Sequence, residues 1–363
     1  MLKVLHGADF HLDAPFRALP PHKAAQRRAE QRELLGRMAE TVRSEGVDLV
    51  LLAGDLLDSD QIYGETAHIL AQSLEHMKVP VLIAPGNHDF WSARSPYARI
   101  SGPENVYIFH TAHIEGVKLE KLGCTVYGAA FTASSRTDRV LEGFHAQGEG
   151  LQLMVLHGST VPTDTYGPIS AAEIAASGLD YLALGHIHAA TQINQEGNTF
   201  WAYPGCPEGR GFDETGEKGV YLLEVDKGQA NGRFYPLCRR RYVEKTVDLD
   251  GRSAEEALRS VLPEGETPDC CRITLTGERG DESPDEKALE ALAQPFYYSV
   301  TVRDRTRLRR ALWDRADEDT LTGLFLQAMA RRRDSARTEE EKAVVEEAVR
   351  FGLAALEHRE DPR

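Results

Sequence analysis

Val47-Asp48-Leu49-Val50-Leu51-Leu52-Ala53-Gly54-Asp55-Leu56-Leu57-Asp58 is the stretch on which the fold turns. Its first seven residues are apolar but for Asp48 and stop abruptly at Gly54-Asp55. A short run of this kind, apolar at odd and even positions alike, predicts a strand buried on both faces. Upstream, 23–45 carries a long helical pattern and 2–6 is another apolar run. Downstream, 65–77 reads as a helix and 79–84 as a third strand closed by Pro85-Gly86. Strand, helix, strand, helix, strand in that order predicts an α/β fold in which helices cover a sheet.

Beyond residue 105 the texture changes to shorter strands at 106–110, 124–131, 151–156, 181–185, 199–203 and 219–225. Several are joined by turn residues, so a second sheet packed on the first is expected, giving a two-layered β-sheet sandwich flanked by helices over 1–240. After Arg239-Arg240-Arg241, strands at 243–249, 271–276 and 297–302 alternate with two helices. One helix opens with Ser253-x-x-Glu256, the other with Ser283-Pro284-x-Glu286, a capping-box spacing with proline at the first helical position. This β-α-β-α-β segment, 241–303, reads as a small α/β domain. Residues 304–363 read as C-terminal helices. One apolar stripe runs through Leu321, Leu324, Phe325, Ala328 and Met329; a second, behind a Thr338-x-x-Glu341 cap, runs through Val344, Val345, Ala348, Phe351 and Leu356.

The chain has 363 residues, about 2.4 typical domains. With 41% hydrophobic and 27% charged residues it has ample material for a core and is not a disordered sequence. Its formal net charge is −15, and the acidic excess falls on both sides of residue 240. Bulk charge therefore repels a polyanion, and any phosphate-bearing substrate must be drawn by a local site, a metal or a partner. Five cysteines, Cys124, Cys206, Cys238, Cys270 and Cys271, show no metal-binding spacing and read as free thiols. No apolar leader or stretch of ~20 apolar residues is present, so no membrane span and a cytoplasmic location are expected.

The histidines carry the chemistry. Asp9-Phe10-His11 follows the first strand, Gly54-Asp55 the second, and Gly86-Asn87-His88-Asp89 the third. His157-Gly158 follows the 151–156 strand, and Gly185-His186-Ile187-His188 the 181–185 strand. Carboxyl ends of strands are where open α/β sheets gather their sites. Each motif alone is a common turn or cap. Five of them at five strand ends would bring carboxylates, an amide and imidazoles into one crevice. Such an N/O donor set without thiolate suits two divalent ions such as Mn²⁺, Fe²⁺ or Zn²⁺. D-x-H and H-x-H put both side chains on one side of an extended backbone. Asp55, alone after its strand, is the natural bridge between ions about 3.5–4 Å apart.

These five motifs resemble the signatures of the calcineurin-like metallophosphoesterases. Ala8-Asp9-Phe10-His11-Leu12-Asp13, Gly54-Asp55-Leu56-Leu57-Asp58 and Tyr203-Pro204-Gly205 resemble the SbcD-like DNA-repair exonuclease branch. Cys206 departs from that pattern, which often has Ser or Asn after Pro-Gly. The resemblance implies the metallophosphoesterase fold over 1–240, a capping domain over 241–303, and a helical region over 304–363. It implies that Asp9, His11, Asp55 and His188 hold one metal and Asp55, Asn87, His157 and His186 the other, with Mn²⁺ as the cofactor. His88 would be catalytic, placed over the scissile phosphate and oriented by Asp89. DNA would be the substrate, an SbcC-like coiled-coil ATPase a partner, and a homodimer the assembly. Two other readings stand beside this one: a phosphoesterase acting on small nucleotide or cyclic-nucleotide esters, and a catalytically idle scaffold that binds DNA ends.

Asp13 and Asp58 lie close to the metal loops and read either as supports of the ligands or as helix-start and turn residues. His6, His22, His68, His76, His110, His113, His145 and His358 join no constellation and read as core or surface residues. Arg303, Arg305, Arg307, Arg309 and Arg310, and then Arg331-Arg332-Arg333, are the densest basic runs. Acidic residues intersperse them, which favours a solvated face over a nucleic-acid track.

Overall fold

The computed structural model describes residues 1–356 apart from 18, 60, 100–102, 162, 281–282 and 309–312, so Arg309, Arg310 and His358 lie outside the described residues. The chain divides into two compact units, one ending at Arg241 and one beginning at Tyr242.

The first unit holds strands β1 (Leu2–Gly7), β2 (Leu49–Leu52), β3 (Val81–Ile83), β4 (Val106–Ile108), β5 (Glu115–Leu119), β6 (Cys124–Gly128), β7 (Leu151–His157), β8 (Tyr181–Gly185), β9 (Asn194–Glu196), β10 (Thr199–Ala202), β11 (Gly219–Asp226) and β12 (Gln229–Pro236). They form two six-stranded sheets, in the orders β12-β11-β1-β2-β3-β4 and β5-β6-β7-β8-β10-β9. In the first, β1 to β4 are parallel, with β11 and β12 antiparallel at one edge. In the second, β6, β7, β8 and β10 are parallel and the two edge strands antiparallel.

Alternation along each strand explains the continuous apolar runs. Val4, Leu49 and Leu51 from one sheet meet Leu153, Val155, Tyr181 and Ala183 from the other in the buried layer between them. The intervening Leu5, Val50 and Leu52 turn outward against Leu34, Leu35 and Met38 of the helix Pro21–Glu45 and Leu70 and Leu74 of the helix Gly64–His76. On the far side, Met154, Leu156, Leu182 and Leu184 pack with Leu141, Ile169 and Ile174. Strands covered on both faces must be apolar at every position. All strand ends that carry the histidine motifs belong to β1, β2, β3, β7 and β8, the inner strands of the two sheets.

Two strands expected in the second sheet belong to the first. β4 pairs with β3, and β11 returns across the molecule to pair antiparallel with β1. Edge placement is set by where the chain returns, which a strand's own residues do not encode. β5, β9, β12 and the helix Ala171–Ala176 were not expected; the first three are edge strands with half-exposed faces.

In the second unit, β13 (Tyr242–Asp248), β14 (Thr267–Thr276) and β16 (Tyr297–Asp304) form a parallel sheet in the order β13-β14-β16, with β15 (Glu278–Arg279) paired to β17 (Arg307–Leu308). Helices Ala254–Arg259 and Glu286–Ala293 cover the three-stranded sheet through Ala257, Leu258, Leu289 and Ala293. Ser253 and Glu256 form the capping box as read. Ser283 does not cap its helix: Asp285 does, its side chain accepting from Ala288 N, and Pro284 precedes the cap. Thr338 accepts from Glu341 N at 3.1 Å, as its spacing predicts.

The apolar stripes of the last two helices, Leu321–Asp334 and Glu339–Leu356, match those expected only in part. The buried line is Leu326 against Val349 and Leu353, with Phe325 and Met329 beside them, and Trp313 and Leu308 complete the cluster. Leu321, Leu324, Val344 and Phe351 face outward. The Phe325 ring lies where a side chain at residue 352 would be, so Gly352 sets the line of closest approach. No helix among the described residues is long and apolar enough to cross a membrane.

Candidate metal centre

The rim of the sandwich is built from turns in unusual backbone conformations. Asp9, His11 and Asp55 have φ of 55°, 44° and 50°, and His186 has φ of 110°. Non-glycine residues at positive φ cost on the order of 1 kcal/mol or more and cluster where function requires them. The turns are locked together by main-chain bonds: Asp9 N donates to Gly54 O, and His11 N to Asp55 O. Two glycines allow the turns to meet. A Cβ at Gly86 would lie 2.2 Å from Asp55 Oδ1, and one at Gly185 would lie 1.9 Å from Ala53 O.

The seven expected ligands come together. Asp9, Asp55 and His157 are buried and each offers a donor atom within 4.8 Å of the others; Asp9, His11 and His188 form a second such group. Asp55 Oδ2 lies 3.4 Å from His157 Nε2 and 3.8 Å from His11 Nε2, between the two halves, while Oδ1 accepts from His88 N. Asn87 Oδ1 is 2.9 Å from His157 Nε2. His186 N donates to both oxygens of Asp9.

One ring nitrogen of each imidazole has an acceptor of its own. His157 Nδ1 is 2.9 Å from Ala53 O, His11 Nδ1 3.2 Å from Asp58 Oδ1, and His188 Nδ1 2.7 Å from Glu214 Oε1. His186 uses Nε2 instead, 3.1 Å from Asp164 Oδ2, leaving Nδ1. For His157 and His11 this puts the proton on the anchored nitrogen and the lone pair on the other, the pattern of ligating histidines; His188 Nδ1 also meets the donor Arg210 Nη2 at 3.0 Å. His157 Nε2 then confronts Asn87 Oδ1, acceptor against acceptor, and His11 Nε2 lies 3.3 Å from His188 Nε2. Ligands at about 2.1 Å from one ion lie about 3 Å apart, so these separations fit a shared cation.

Electrostatics point the same way. Burial, with the charge of Asp55 beside it, pushes Asp9 up to about 8, although His188 and the His186 N–H oppose this. Burial pushes His157 down to about 4, so its ring is neutral, and it lowers His11 as well. Burial opposes protonation of His188, yet the Glu214 hydrogen bond and the charge of Asp9 outweigh it and raise its pKa. Crowded, buried carboxylates of this kind call for positive charge within the site.

Asp89 does not orient His88. Its carboxylate is buried and accepts from Gly86 N at 2.7 Å, Leu57 N at 3.1 Å, Asp55 N at 3.3 Å and Tyr97 Oη at 2.5 Å. It braces the two turns against each other, while His88 Nδ1 meets the main-chain oxygen of Asp58 at 3.2 Å and the ring is exposed. Of the two acidic residues read either way, Asp58 supports His11. Asp13 takes the turn role, at φ 67°, accepting from Tyr63 N and Thr66 Oγ1 and pairing with Arg32. Sequence reading missed Asp164, Glu214, Arg210 and Tyr97. Only the 210/214 spacing offered a signal, and in a glycine-rich loop it looks like surface charge. The five cysteines form no disulfide, and Cys206 is buried with its Sγ 3.6 Å from His188 O. Arg303, Arg305, Arg307, Arg331 and Arg332 are exposed, and Arg307 pairs with Glu339.

A helix-flanked double sheet whose strand ends gather imidazoles and carboxylates around room for cations is the layout of a metal-dependent hydrolase. The chain belongs to the calcineurin-like phosphoesterase family, whose model matches residues 2–190. It is therefore a metallophosphoesterase, a phosphoester hydrolase of a divalent-metal family with donor groups present to hold metal. It is similar to the uncharacterized metallophosphoesterase YhaO of Bacillus subtilis, 28% identical over 96% of both chains. It is also similar to the SbcD component of nuclease SbcCD from Staphylococcus epidermidis, 25% identical over 67% of this chain and 71% of the relative. The DNA double-strand break repair protein Mre11 of Methanopyrus kandleri is 24% identical over 84% of this chain and 71% of that one. These relatives support the SbcD-like branch that the motifs resemble. Among solved structures, TT1561 of Thermus thermophilus covers 64% of this chain and 98% of its own, with 13% identity and a TM-score of 0.42.

Proposed function

We propose that this metallophosphoesterase is a DNA exonuclease of DNA repair that works with two Mn²⁺ ions. The observation that carries the reading is the rim: four imidazoles, each with one nitrogen held by an acceptor, gather with Asp9 and Asp55 in a chain whose relatives include proteins named for nuclease action and DNA break repair. Asp9, His11, Asp55 and His188 hold one ion, and Asp55, Asn87, His157 and His186 the other. Two such ions would supply Lewis-acid activation of water near neutral pH and positive charge for the phosphate oxygens.

The chain's own groups do the rest. His88 is exposed beside Asp55, its Nδ1 on the Asp58 carbonyl, so its Nε2 is turned to carry a proton to the departing oxygen. Asp89 keeps the Asp55 and Asn87 turns in register. With a net charge of −15, the protein draws DNA only where the ions sit, so grip on a duplex comes from residues 241–303 as a cap, from a homodimer and from a partner. We assign the outward Leu321, Leu324, Val344 and Phe351 of the 304–363 helical region to a coiled-coil ATPase of the SbcC type, in the cytoplasm.

The test strips the protein of metal with EDTA and supplies Mn²⁺, Mg²⁺ or Zn²⁺ with end-labelled linear DNA and, separately, a small phosphodiester. Shortening of DNA from its ends, greatest with Mn²⁺, is expected. Cleavage of the small ester alone would move the enzyme to nucleotide-sized substrates, and no cleavage of either, with or without the ATPase, would leave a scaffold.

A further inference from the structure

We propose that Arg210 is a positioning residue that fixes His11 and His188 relative to each other by clamping the carboxylates that anchor them. This rests on the two-ion reading of the rim, and it concerns a residue outside the ligand set.

His11 follows β1 in the first sheet, and His188 follows β8 in the second. Their Nε2 atoms are 3.3 Å apart, yet no main-chain hydrogen bond joins the two residues among those of the described turns. Each ring is aimed by a carboxylate on its other nitrogen: Asp58 Oδ1 for His11 and Glu214 Oε1 for His188. The Arg210 guanidinium reaches both carboxylates at those same oxygens, with Nη1 3.4 Å from Asp58 Oδ1 and Nη2 2.8 Å from Glu214 Oε1, and Nη2 also lies 3.0 Å from His188 Nδ1 itself. Arg210 Nε and its main-chain N complete the hold on Glu214 Oε2, at 3.4 and 2.8 Å. A guanidinium is planar and rigid, so it sets the spacing of the two carboxylates and, through them, of the two imidazoles.

The origin of Arg210 is fixed as firmly as its tip. Just before it, Glu208 accepts from Arg27 Nη1 at 2.6 Å and from the main-chain N of Arg239 and Arg240, while Gly209 O accepts from Arg27 Nη2. Glu208 and Arg27 are fully buried. Further along, Lys218 Nζ donates to His188 O at 3.1 Å. The Arg210 side chain is 22% exposed and its charge is already matched by Glu214 and Asp58, so the residue is placed as a brace and not as an arm for substrate phosphate.

The experiment uses the full chain, with Mn²⁺ binding followed by titration calorimetry and by the electron paramagnetic resonance of the coupled ion pair. Wild type is expected to take up two ions and to show the coupled signal. Arg210→Met is expected to keep the ion of Asn87, His157 and His186 and to bind the other ~10–100-fold more weakly, the range for loss of an outer partner of a metal ligand. The coupled signal then gives way to that of an isolated ion. Arg210→Lys keeps the charge but not the fork. It is expected to remain ~10-fold or more weaker than wild type at the same ion, and it carries the test should the metal-free melting temperature show Arg210→Met misfolded. Two ions bound as in wild type by Arg210→Lys, or by a folded Arg210→Met, would overturn the clamp and leave the two-ion reading standing. Fewer than two ions on wild type would overturn that reading and the clamp with it.

Discussion

His6 and His11 are five residues apart, both fully buried, and in opposite situations. His6 lies between the two sheets with each ring nitrogen engaged, Nδ1 to Tyr181 Oη at 3.0 Å and Nε2 to Leu184 O at 3.1 Å. His11 lies at the rim with Nδ1 on Asp58 and Nε2 facing another imidazole and a carboxylate. The interior of the sandwich closes every polar group of this histidine that its apolar layers enclose, as burial demands. The rim does the reverse: it anchors one side of each ring and leaves the other side open toward a common centre. Burial alone does not mark a functional histidine; an unanswered lone pair aimed at others of its kind does.

Breaking the rim at its centre should have the largest consequence. Asp55→Asn removes the carboxylate that stands between the two halves, and both Mn²⁺ affinities should fall by more than ~100-fold, beyond the range for outer partners of metal ligands. Calorimetric titration reads this directly; loss of one ion alone would show that Asp55 serves one half only. His88→Asn sharpens the contrast from the other side. Turnover should drop ~10²–10⁴-fold, the usual contribution of a positioned acid or base, while uptake of both ions stays as in wild type. Full activity in that variant would remove His88 from the reaction.

The next prediction concerns how the rim is held. Tyr97 is buried and donates to Asp89, whose carboxylate receives three main-chain N–H groups from the Asp55 and Asn87 turns. Tyr97→Phe should cost about 1.5–3 kcal/mol of stability, the range for a hydrogen bond to a charged group. Urea unfolding of the metal-free protein measures it. An unchanged midpoint would show that the main-chain donors alone hold Asp89.

Much of this was legible beforehand because the inner strands are covered on both faces, which makes 47–53, 151–156 and 181–185 apolar almost throughout and lets Gly-Asp, His-Gly and Gly-His stand out at their ends. What escaped reading lies where one residue's neighbours in space are not its neighbours in sequence. The resemblance implied that Asp89 orients His88, but in the bend at 87–89 Asp89 turns inward onto the main-chain N–H groups of Asp55, Leu57 and Gly86 while His88 turns out. Arg210 and Glu214 sit in a loop without periodicity, and only the fold carries them to His188. The C-terminal stripes were legible only in part: Phe325, Met329 and Val345 turn inward as expected, but Leu321, Leu324, Val344 and Phe351, equally apolar, face outward, and Leu326, Val349 and Leu353 carry the buried line.

The last prediction belongs to the interior. Burial pushes His6 down to about 3 from an ordinary 6.5, with the Leu184 carbonyl opposing only in part, so the folded protein keeps it neutral. The unfolded chain takes up that proton as pH falls below about 6.5 and gains stability relative to the fold. The native state should therefore lose up to roughly 1.4 kcal/mol for each pH unit from about 6.5 down to about 3 on account of this one ring. His6→Gln has nothing to titrate and keeps one donor and one acceptor for Leu184 O and Tyr181 Oη. Its urea midpoint should fall less steeply between pH 7 and pH 4.5 than that of wild type. Equal slopes in the two proteins would mean that His6 is protonated inside the fold, and the distinction between a closed interior and an open rim would then fail at its simplest point.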